Sequence, residues 1–125
     1  MELGIIGLGR MGGNMTIRLL NGGHRIIVYD PVKETVETMV AQGAIGSASI
    51  TDLVKKLSPP RTVWLMVPSG ESTESTIKTL SLELLKGDII IDGGNSNYKD
   101  SMRRAAALSK KGIAFLDAGT SGGIW

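Results

Sequence analysis

The chain has 125 residues and a mass of 13.2 kDa, which is the size of one domain with its own hydrophobic core. Its formal net charge of +2 is too small to indicate nucleic-acid binding, and the absence of cysteine excludes disulfides, thiol nucleophiles and thiolate metal sites. A single histidine, His24, leaves little scope for a zinc site or a histidine-based triad, so we predict no metal site. No apolar run reaches the roughly 18 residues of a membrane span, and we expect a cytoplasmic protein with neither a membrane nor a nucleic-acid partner.

A glycine motif follows the first apolar run of the chain. Residues 7–12 read Gly-Leu-Gly-Arg-Met-Gly and fit the G-x-G-x-x-G pattern of dinucleotide-binding domains. In that pattern Gly7 permits the turn out of the strand, Gly9 lets the backbone approach a pyrophosphate, and Gly12 lets the helix pack closely on the strand. A helix that begins near Arg10 would then favour the phosphate charge through its free N–H groups and its dipole.

An acidic residue closes the second apolar run. We expect the first helix to end at residues 22–23, and the strand-like run at 26–29 then leads to Asp30. At that position a carboxylate can accept hydrogen bonds from an adenosine ribose, whereas the alternative is a plain turn residue before Pro31.

The middle of the chain continues the alternation of helix and strand. Pro31 suits the first position of a second helix. Its apolar face would consist of Val32, Val36, Met39 and Val40. A short third strand fits within 44–48, and Ser49 or Thr51 can cap the helix that follows.

A loop at the end of the fourth strand is predicted to face a ligand. The strand spans 62–67 and runs into Met66-Val67-Pro68. Ligands of open α/β sheets bind outside the carboxyl ends of the strands, so these residues should contact the cofactor, although an ordinary strand-to-helix turn would have the same composition.

The next helix and strand bring a second polar loop to the same edge. Ile77, Leu80 and Leu84 form the helix's apolar face, and the strand at 89–91 leads to Asp92-Gly93-Gly94-Asn95-Ser96. Asn95 can donate and accept hydrogen bonds to a polyhydroxylated ligand, or else it caps the following helix.

The last helix is predicted from Tyr98 to about Lys111, before a sixth strand at 113–116. We expect its inward positions to be Met102, Ala105 and Leu108. We interpret Arg103, Arg104, Lys110 and Lys111 as a solvated face.

This alternation predicts an α/β fold, a Rossmann-type doubly wound parallel sheet of about six strands with helices on both faces. Residues 1–125 would form one dinucleotide-binding domain. The sequence stops at Trp125, just after a polar glycine-rich stretch, and this abrupt end suggests a fragment.

Three motifs together resemble the N-terminal cofactor domain of the 6-phosphogluconate dehydrogenases, within the β-hydroxyacid dehydrogenase superfamily. They are Gly-Leu-Gly-Arg-Met-Gly-Gly-Asn-Met at 7–15, Ile-Asp-Gly-Gly-Asn-Ser at 91–96 and Gly-Thr-Ser-Gly-Gly at 119–123. The second motif is typical of the 6-phosphogluconate branch, and the ending at 119–125 resembles a bacterial, NAD-preferring subgroup.

The resemblance implies a role for each motif. Residues Leu8 to Gly12, including Met11, would contact the pyrophosphate, and Met66, Val67 and Pro68 would line the adenine and ribose side. Asn95 would lie between nicotinamide and substrate, with Ser121, Gly122 and Gly123 binding the carboxylate and hydroxyl end of a phosphorylated sugar acid. The implied reaction is oxidative decarboxylation of 6-phosphogluconate to ribulose 5-phosphate in the pentose phosphate pathway, by a homo-oligomer.

Two departures from the family pattern limit this expectation. The lysine base and the glutamate of the family belong to a helical domain that would follow Trp125, so we predict no catalytic residue in this chain and cofactor binding without turnover. NADP-dependent members carry an Asn-Arg-Thr type sequence where this chain has Tyr29-Asp30-Pro31, so we expect NAD to be preferred.

Other readings stay open from the sequence. Another β-hydroxyacid dehydrogenase, such as a 3-hydroxyisobutyrate type, shares the first motif but not the loop at 92–96. A non-catalytic module that senses NAD(H) would also explain the short length, but it has no need of a substrate-anchoring loop. A methyltransferase with a similar glycine turn would not explain the six strands.

Overall fold

The computed structural model describes residues 1–68, 70–94 and 97–118, apart from the side chain of Tyr98. The strands are β1 Glu2–Ile6, β2 Arg25–Tyr29, β3 Ile45–Gly46, β4 Thr62–Leu65, β5 Ile89–Asp92 and β6 Ala114–Asp117. The helices are α1 Arg10–Asn21, α2 Lys33–Ala41, α3 Ile50–Lys56, α4 Glu71–Glu83 and α5 Tyr98–Ser109.

All six strands pair in parallel, in the order β3-β2-β1-β4-β5-β6. The chain builds outward from β1 to β3, and then crosses back to place β4 on the other side of β1. The predicted Rossmann-type fold is therefore confirmed. The crossover makes the β1–β4 boundary a topological switch point, where the connections leave to opposite sides and open a crevice at the carboxyl ends.

Strands β1, β2, β4 and β5 are largely buried because their side chains alternate between two apolar clusters, whereas β6 is mostly exposed. One cluster contains Leu3, Ile5, Ile26 and Val28 and packs against α1 and α2. The other contains Ile6, Ile27, Val63, Leu65 and Ile90 and packs against α3, α4 and α5. Coverage on both faces explains why these strands are almost continuously apolar in sequence.

The prediction for the second helix was wrong at its start. The helix begins at Lys33 rather than at Pro31, because the Asp30 carboxylate accepts the N–H of Val32 and holds the preceding segment in a turn. Val32 and Val40 are exposed, so the buried side of α2 rests on Met39 and the half-buried Val36.

The cap of α3 was one of two alternatives, and the structure selects between them. The N–H of Asp52 donates to Ser49 Oγ at 3.0 Å, whereas Thr51 Oγ1 donates to Glu83 Oε1 of α4. Ser49 is thus the cap, and Thr51 ties α3 to its neighbour.

The prediction for α5 was wrong at two positions. Met102 is 58% exposed rather than inward, and Arg104, which we expected on a solvated face, is only 3% exposed. Arg104 is buried because acidic partners on α4 and β5 meet it there, and a helical pattern read alone does not contain those partners.

Candidate dinucleotide-binding cleft

A cleft of about 1080 Å³ opens at the switch point, above the carboxyl ends of β1, β2, β4 and β5. It brings together residues that the sequence predicted from three separate segments. These are Gly7, Gly9, Arg10, Met11 and Gly12 of the first turn, Asp30 after β2, and Met66, Val67 and Pro68 after β4. The adjacency arises because parallel strands deliver their carboxyl ends to one edge of the sheet.

Four predicted site residues lie outside the described residues. Asn95, Ser121, Gly122 and Gly123 therefore stay predictions. Leu8 is described but is 5% exposed and packs in the cluster beneath α1 and α2, so its side chain is directed into the core. Its assignment as a cofactor contact also stays a prediction.

The three glycines of the motif have different surroundings. Gly7 has φ of +101°, and a Cβ there would lie 2.6 Å from the carbonyl oxygen of Met66. A Cβ on Gly12 would overlap the carbonyl oxygen of Gly7 and lie 3.3 Å from Met66 Cβ. At Gly9, in contrast, a Cβ would meet no atom of the described residues within 4 Å. The fold itself therefore requires Gly7 and Gly12, whereas the space beside Gly9 is open.

The start of α1 is suited to an anion. Gly9 is the N-cap, and the N–H groups of Arg10, Met11 and Gly12 are the first of the helix, where no preceding turn supplies a carbonyl. The first turn carries the Arg10 guanidinium and no acidic side chain among its described residues. These donors, the helix dipole and the cation all favour a bound phosphate group.

The Asp30 carboxylate is held in place by the backbone. Oδ2 accepts the N–H of Leu8 at 2.7 Å, and Oδ1 accepts the N–H of Val32 at 2.8 Å. Asp30 is half-buried, and its carboxylate lines the cleft together with Tyr29 and Pro31. A carboxylate has about four lone-pair positions, so two backbone bonds leave acceptor capacity for ligand hydroxyl groups.

Sequence reasoning missed one wall of the cleft. The first two turns of α4 contribute Glu71, Ser72, Ser75 and Thr76. Positions 72, 75 and 76 share one helix face, so the polar run Glu-Ser-Thr-Glu-Ser-Thr at 71–76 contained a signal that was not used. Ile50 of α3 and the backbone of Gly93 and Gly94 complete the lining.

The chemistry available in the cleft is limited. Its described lining residues include the carboxylates of Asp30 and Glu71 but no lysine or histidine. No cluster of His, Cys, Asp or Glu suited to a metal ion occurs in the part of the chain that the structure describes. Within the same ranges, no helix is long and apolar enough to cross a membrane.

The fold and the cleft define a dinucleotide-binding domain of Rossmann type. The family model described as the NAD binding domain of 6-phosphogluconate dehydrogenase matches residues 2–125, and the chain belongs to that family. The recognition made from the three motifs is thereby confirmed.

Curated relatives agree with this assignment. The chain is 43% identical over 123 residues to a 6-phosphogluconate dehydrogenase from Haloferax volcanii, named as NAD(+)-dependent and decarboxylating, and the match covers 98% of this chain and 40% of the relative. A decarboxylating enzyme from Haemophilus influenzae is 43% identical over 128 residues, covering 98% of this chain and 26% of the relative. The chain thus spans less than half the length of these relatives.

The relatives do not separate the two cofactors. In Bacillus subtilis, a relative named NAD(+)-dependent and one named NADP(+)-dependent are both 38% identical to this chain, each match covering 98% of the chain and 27% of the relative. Relatives also come from an archaeon and from yeast, so the bacterial subgroup suggested by residues 119–125 stays a prediction.

Solved structures share the architecture. A Plasmodium falciparum 6-phosphogluconate dehydrogenase superposes with a TM-score of 0.82 at 30% identity, covering 92% of this chain and 26% of that one. A Mycobacterium tuberculosis 3-hydroxyisobutyrate dehydrogenase superposes with a TM-score of 0.84 at 23% identity, covering 93% and 39%, and supports the fold alone.

Proposed function

We propose that the cleft binds NAD and that the chain is the cofactor domain of a decarboxylating 6-phosphogluconate dehydrogenase. The observation that carries the proposal is the start of α1, where Gly9 leaves open space above helix N–H groups while Asp30 is fixed at the neighbouring strand end. A pyrophosphate and an adenosine ribose need these two features side by side.

Each part of the cofactor has a complementary part of the cleft. The N–H groups that open α1 and the Arg10 guanidinium would hold the pyrophosphate. Asp30 would accept hydrogen bonds from the adenosine ribose, and Met66, Val67 and Pro68 would cover the adenine and ribose side. When bound, the nicotinamide would supply a hydride acceptor to the reaction.

The substrate and the reaction are proposed from the names of the relatives. We infer oxidation and decarboxylation of 6-phosphogluconate to ribulose 5-phosphate in a homo-oligomeric enzyme. Asn95, Ser121, Gly122 and Gly123 are the proposed substrate contacts. The described cleft holds no lysine to serve as base, so we expect the 125-residue chain to bind the cofactor without turnover.

Asp30 would select NAD over NADP by opposing the 2′-phosphate. Two unit charges about 4 Å apart repel by roughly 4 kcal/mol at an effective dielectric near 20, and solvent at the cleft rim reduces this to roughly 1–3 kcal/mol. Asp30 accepts two backbone N–H groups, so the carboxylate would have to break hydrogen bonds to swing away. We therefore expect NAD to bind roughly 5- to 150-fold more tightly than NADP.

The test is calorimetric titration of the chain with NAD and NADP, repeated with Asp30→Asn. This variant removes the charge and keeps the shape, but its NH2 group cannot accept one of the two backbone N–H groups that Asp30 accepts, so the ratio of the two Kd values is compared and not either value alone. The preference for NAD should fall to within about threefold, a difference below 1 kcal/mol. Glu71→Gln is the matched control, since it neutralises another carboxylate of the same cleft.

If the preference for NAD over NADP fell equally in Asp30→Asn and Glu71→Gln, it would arise from the overall electrostatic potential of the cleft and not from Asp30. Failure of the unmodified chain to bind either nucleotide would refute the proposed function, and tighter binding of NADP would remove the role of Asp30.

A further inference from the structure

Arg104 is a buried cation in the middle of α5 that the cofactor site as described does not use. Its Nε donates to Glu74 Oε1 of α4 at 2.7 Å, and its Nη1 lies 3.9 Å from Asp92 Oδ2 at the end of β5. Arg104 is 3% exposed and Asp92 is fully buried. Nη1 has no hydrogen-bond partner among the described residues, although it is buried.

Asp92 connects this cation to the floor of the cleft. Its Oδ1 accepts the N–H of Gly94 at 3.0 Å, and the N–H of Gly93 donates to the carbonyl of Leu65 at 2.7 Å. Both glycines line the cleft. A Cβ on Gly94 would lie 2.8 Å from the carbonyl oxygen of Val67, so the glycine backbone packs closely against the loop after β4.

Glu74 connects the same cation to the opposite wall. It lies about one turn beyond Glu71, which lines the cleft from α4. Arg103 also pairs with Glu74, but its side chain is 59% exposed, and only Arg104 of the two lies near Asp92. Arg104 therefore connects the floor of the cleft to its α4 wall, although Arg104 itself does not line the cleft.

The cost of burial argues for a specific role. Taking a guanidinium and a carboxylate out of water carries a desolvation penalty that their attraction often fails to exceed, so such a pair is weak evidence for stability alone. A planar guanidinium can contact two partners in fixed directions, which suits it to fixing the distance between two elements.

The placement of the glycines indicates which end of the cofactor they meet. The adenosine ribose is assigned to Asp30 after β2, and the pyrophosphate to the start of α1 after β1. A dinucleotide that extends across the sheet edge from β2 past β1 then reaches the end of β5 with its nicotinamide. Gly93 and Gly94 follow β5, so they lie on that side.

We propose that Arg104 is a positioning residue, which through Asp92 fixes the Gly93–Gly94 backbone and thereby sets the affinity for the nicotinamide end of the cofactor. The effect on affinity rests on the proposed function, whereas the effect on the glycine backbone does not.

The first measurement follows the backbone without any ligand. Amide hydrogen exchange of Gly94 is compared with that of Ile90, a fully buried β5 residue that reports global unfolding. In Arg104→Gln, the exchange rate of the Gly94 amide divided by that of Ile90 should rise about 3- to 10-fold. A rise of this size corresponds to a weakened hydrogen bond from the Gly94 N–H to Asp92. In Arg103→Gln, which removes the neighbouring exposed partner of Glu74, the ratio should stay within about twofold of the unmodified chain.

The second measurement separates the two ends of the cofactor. Calorimetric Kd values are determined for NAD and for ADP, which lacks the nicotinamide riboside. Arg104→Gln should weaken NAD about tenfold and leave ADP within about twofold, and Arg103→Gln should change neither by more than that. An unchanged Gly94 ratio, an equal loss for both nucleotides, or the same losses in Arg103→Gln would each overturn the proposal.

Two further outcomes have defined meanings. If Arg104→Gln does not fold, Arg104→Lys is measured in its place. Lysine keeps the positive charge, but a single ammonium group cannot contact Glu74 and lie near Asp92 at the same time, as the guanidinium does. A folded Arg104→Lys chain with unmodified Gly94 exchange and NAD affinity would refute the proposal. If the unmodified chain binds no NAD, the proposed function fails, and the Gly94 ratio still decides whether Arg104 positions the backbone.

Discussion

Replacing Gly9 and Gly12 by alanine should separate cofactor binding from folding. The two glycines lie three positions apart in one motif, yet an added Cβ meets no described atom within 4 Å at Gly9, whereas at Gly12 it overlaps the Gly7 carbonyl oxygen and lies 3.0 Å from its carbon. Gly9→Ala should therefore damage binding, and Gly12→Ala should damage the fold.

The stability changes can be worked from these contacts. Gly9 is the N-cap with φ of −65° and ψ of −168°, which alanine can adopt, so the cost is that of a poorer cap, about 0.5–1 kcal/mol. At Gly12 the backbone must move, and overpacking of about 3 kcal/mol is offset by about 1 kcal/mol of better helix propensity. At about 4 °C per kcal/mol, Tm should fall by about 2–4 °C for Gly9→Ala and about 8 °C or more for Gly12→Ala.

Binding should change in the opposite order. A methyl group on Gly9 would occupy the space through which a pyrophosphate approaches the N–H groups of α1. Loss of one such charge-assisted hydrogen bond, roughly 1.5–3 kcal/mol, raises the Kd for NAD about 10- to 150-fold. Thermal unfolding by circular dichroism and calorimetric titration with NAD measure the two effects. A Gly9→Ala chain that binds NAD like the unmodified chain, or a Gly12→Ala chain with an unchanged Tm, would refute this assignment of roles.

The remaining predictions concern stability. Ser49→Ala should lower the free energy of unfolding by about 1 kcal/mol in urea titrations, because the N–H of Asp52 loses its cap; Ser49→Asp keeps an acceptor, and an equal loss there would contradict the capping role. Hydrogen bonds from Arg103 and then Arg104 hold the pKa of Glu74 below its ordinary value of 4.5. Because the folded pKa is the lower one, this stabilisation is complete above about pH 4.5 and is lost as the pH falls through the folded pKa. Glu74→Gln should therefore reduce stability at neutral pH and flatten its fall in acid, and an unchanged acid limb would contradict the ion pairs.

The sequence predicted the order of helices and strands well, because residues close together in the chain determine most of these elements. The glycine motif depends on residues within a few positions of one another, so its chemistry is visible in the chain. The cap of α3 stayed a choice between Ser49 and Thr51, and a turn at Asp30 was only the alternative to a ribose acceptor. The alternation of apolar runs with helical periodicity then predicted a doubly wound sheet, because parallel strands need helical crossovers. The start of α2 was missed, since the bond from the Val32 N–H to Asp30 competed with the preference of Pro31 for a first helical turn.

The errors in α5 have a different cause. Arg103 and Arg104 are adjacent and chemically identical in sequence, and helical periodicity does not decide which of them is buried. That is decided by Glu74, 30 residues away along the chain, and by Asp92 on another element. The serines of the α4 wall form one polar helix face in the sequence, but they face the cleft only because the strand order brings α4 beside the β1 turn.

The sequence by itself determined the class of domain and the element order, because the glycine motif, the acid after the second strand and the strand–helix alternation are encoded over short stretches of chain. Only the tertiary structure distinguished the open space at Gly9 from the close contact at Gly12. Only the tertiary structure showed the hydrogen bond from the N–H of Leu8, after β1, to the carboxylate of Asp30, after β2. It also showed that Arg104, which the sequence predicted on the surface, is buried between Glu74 and Asp92. These properties depend on contacts between segments far apart in the chain, whose distances are fixed when the sheet assembles.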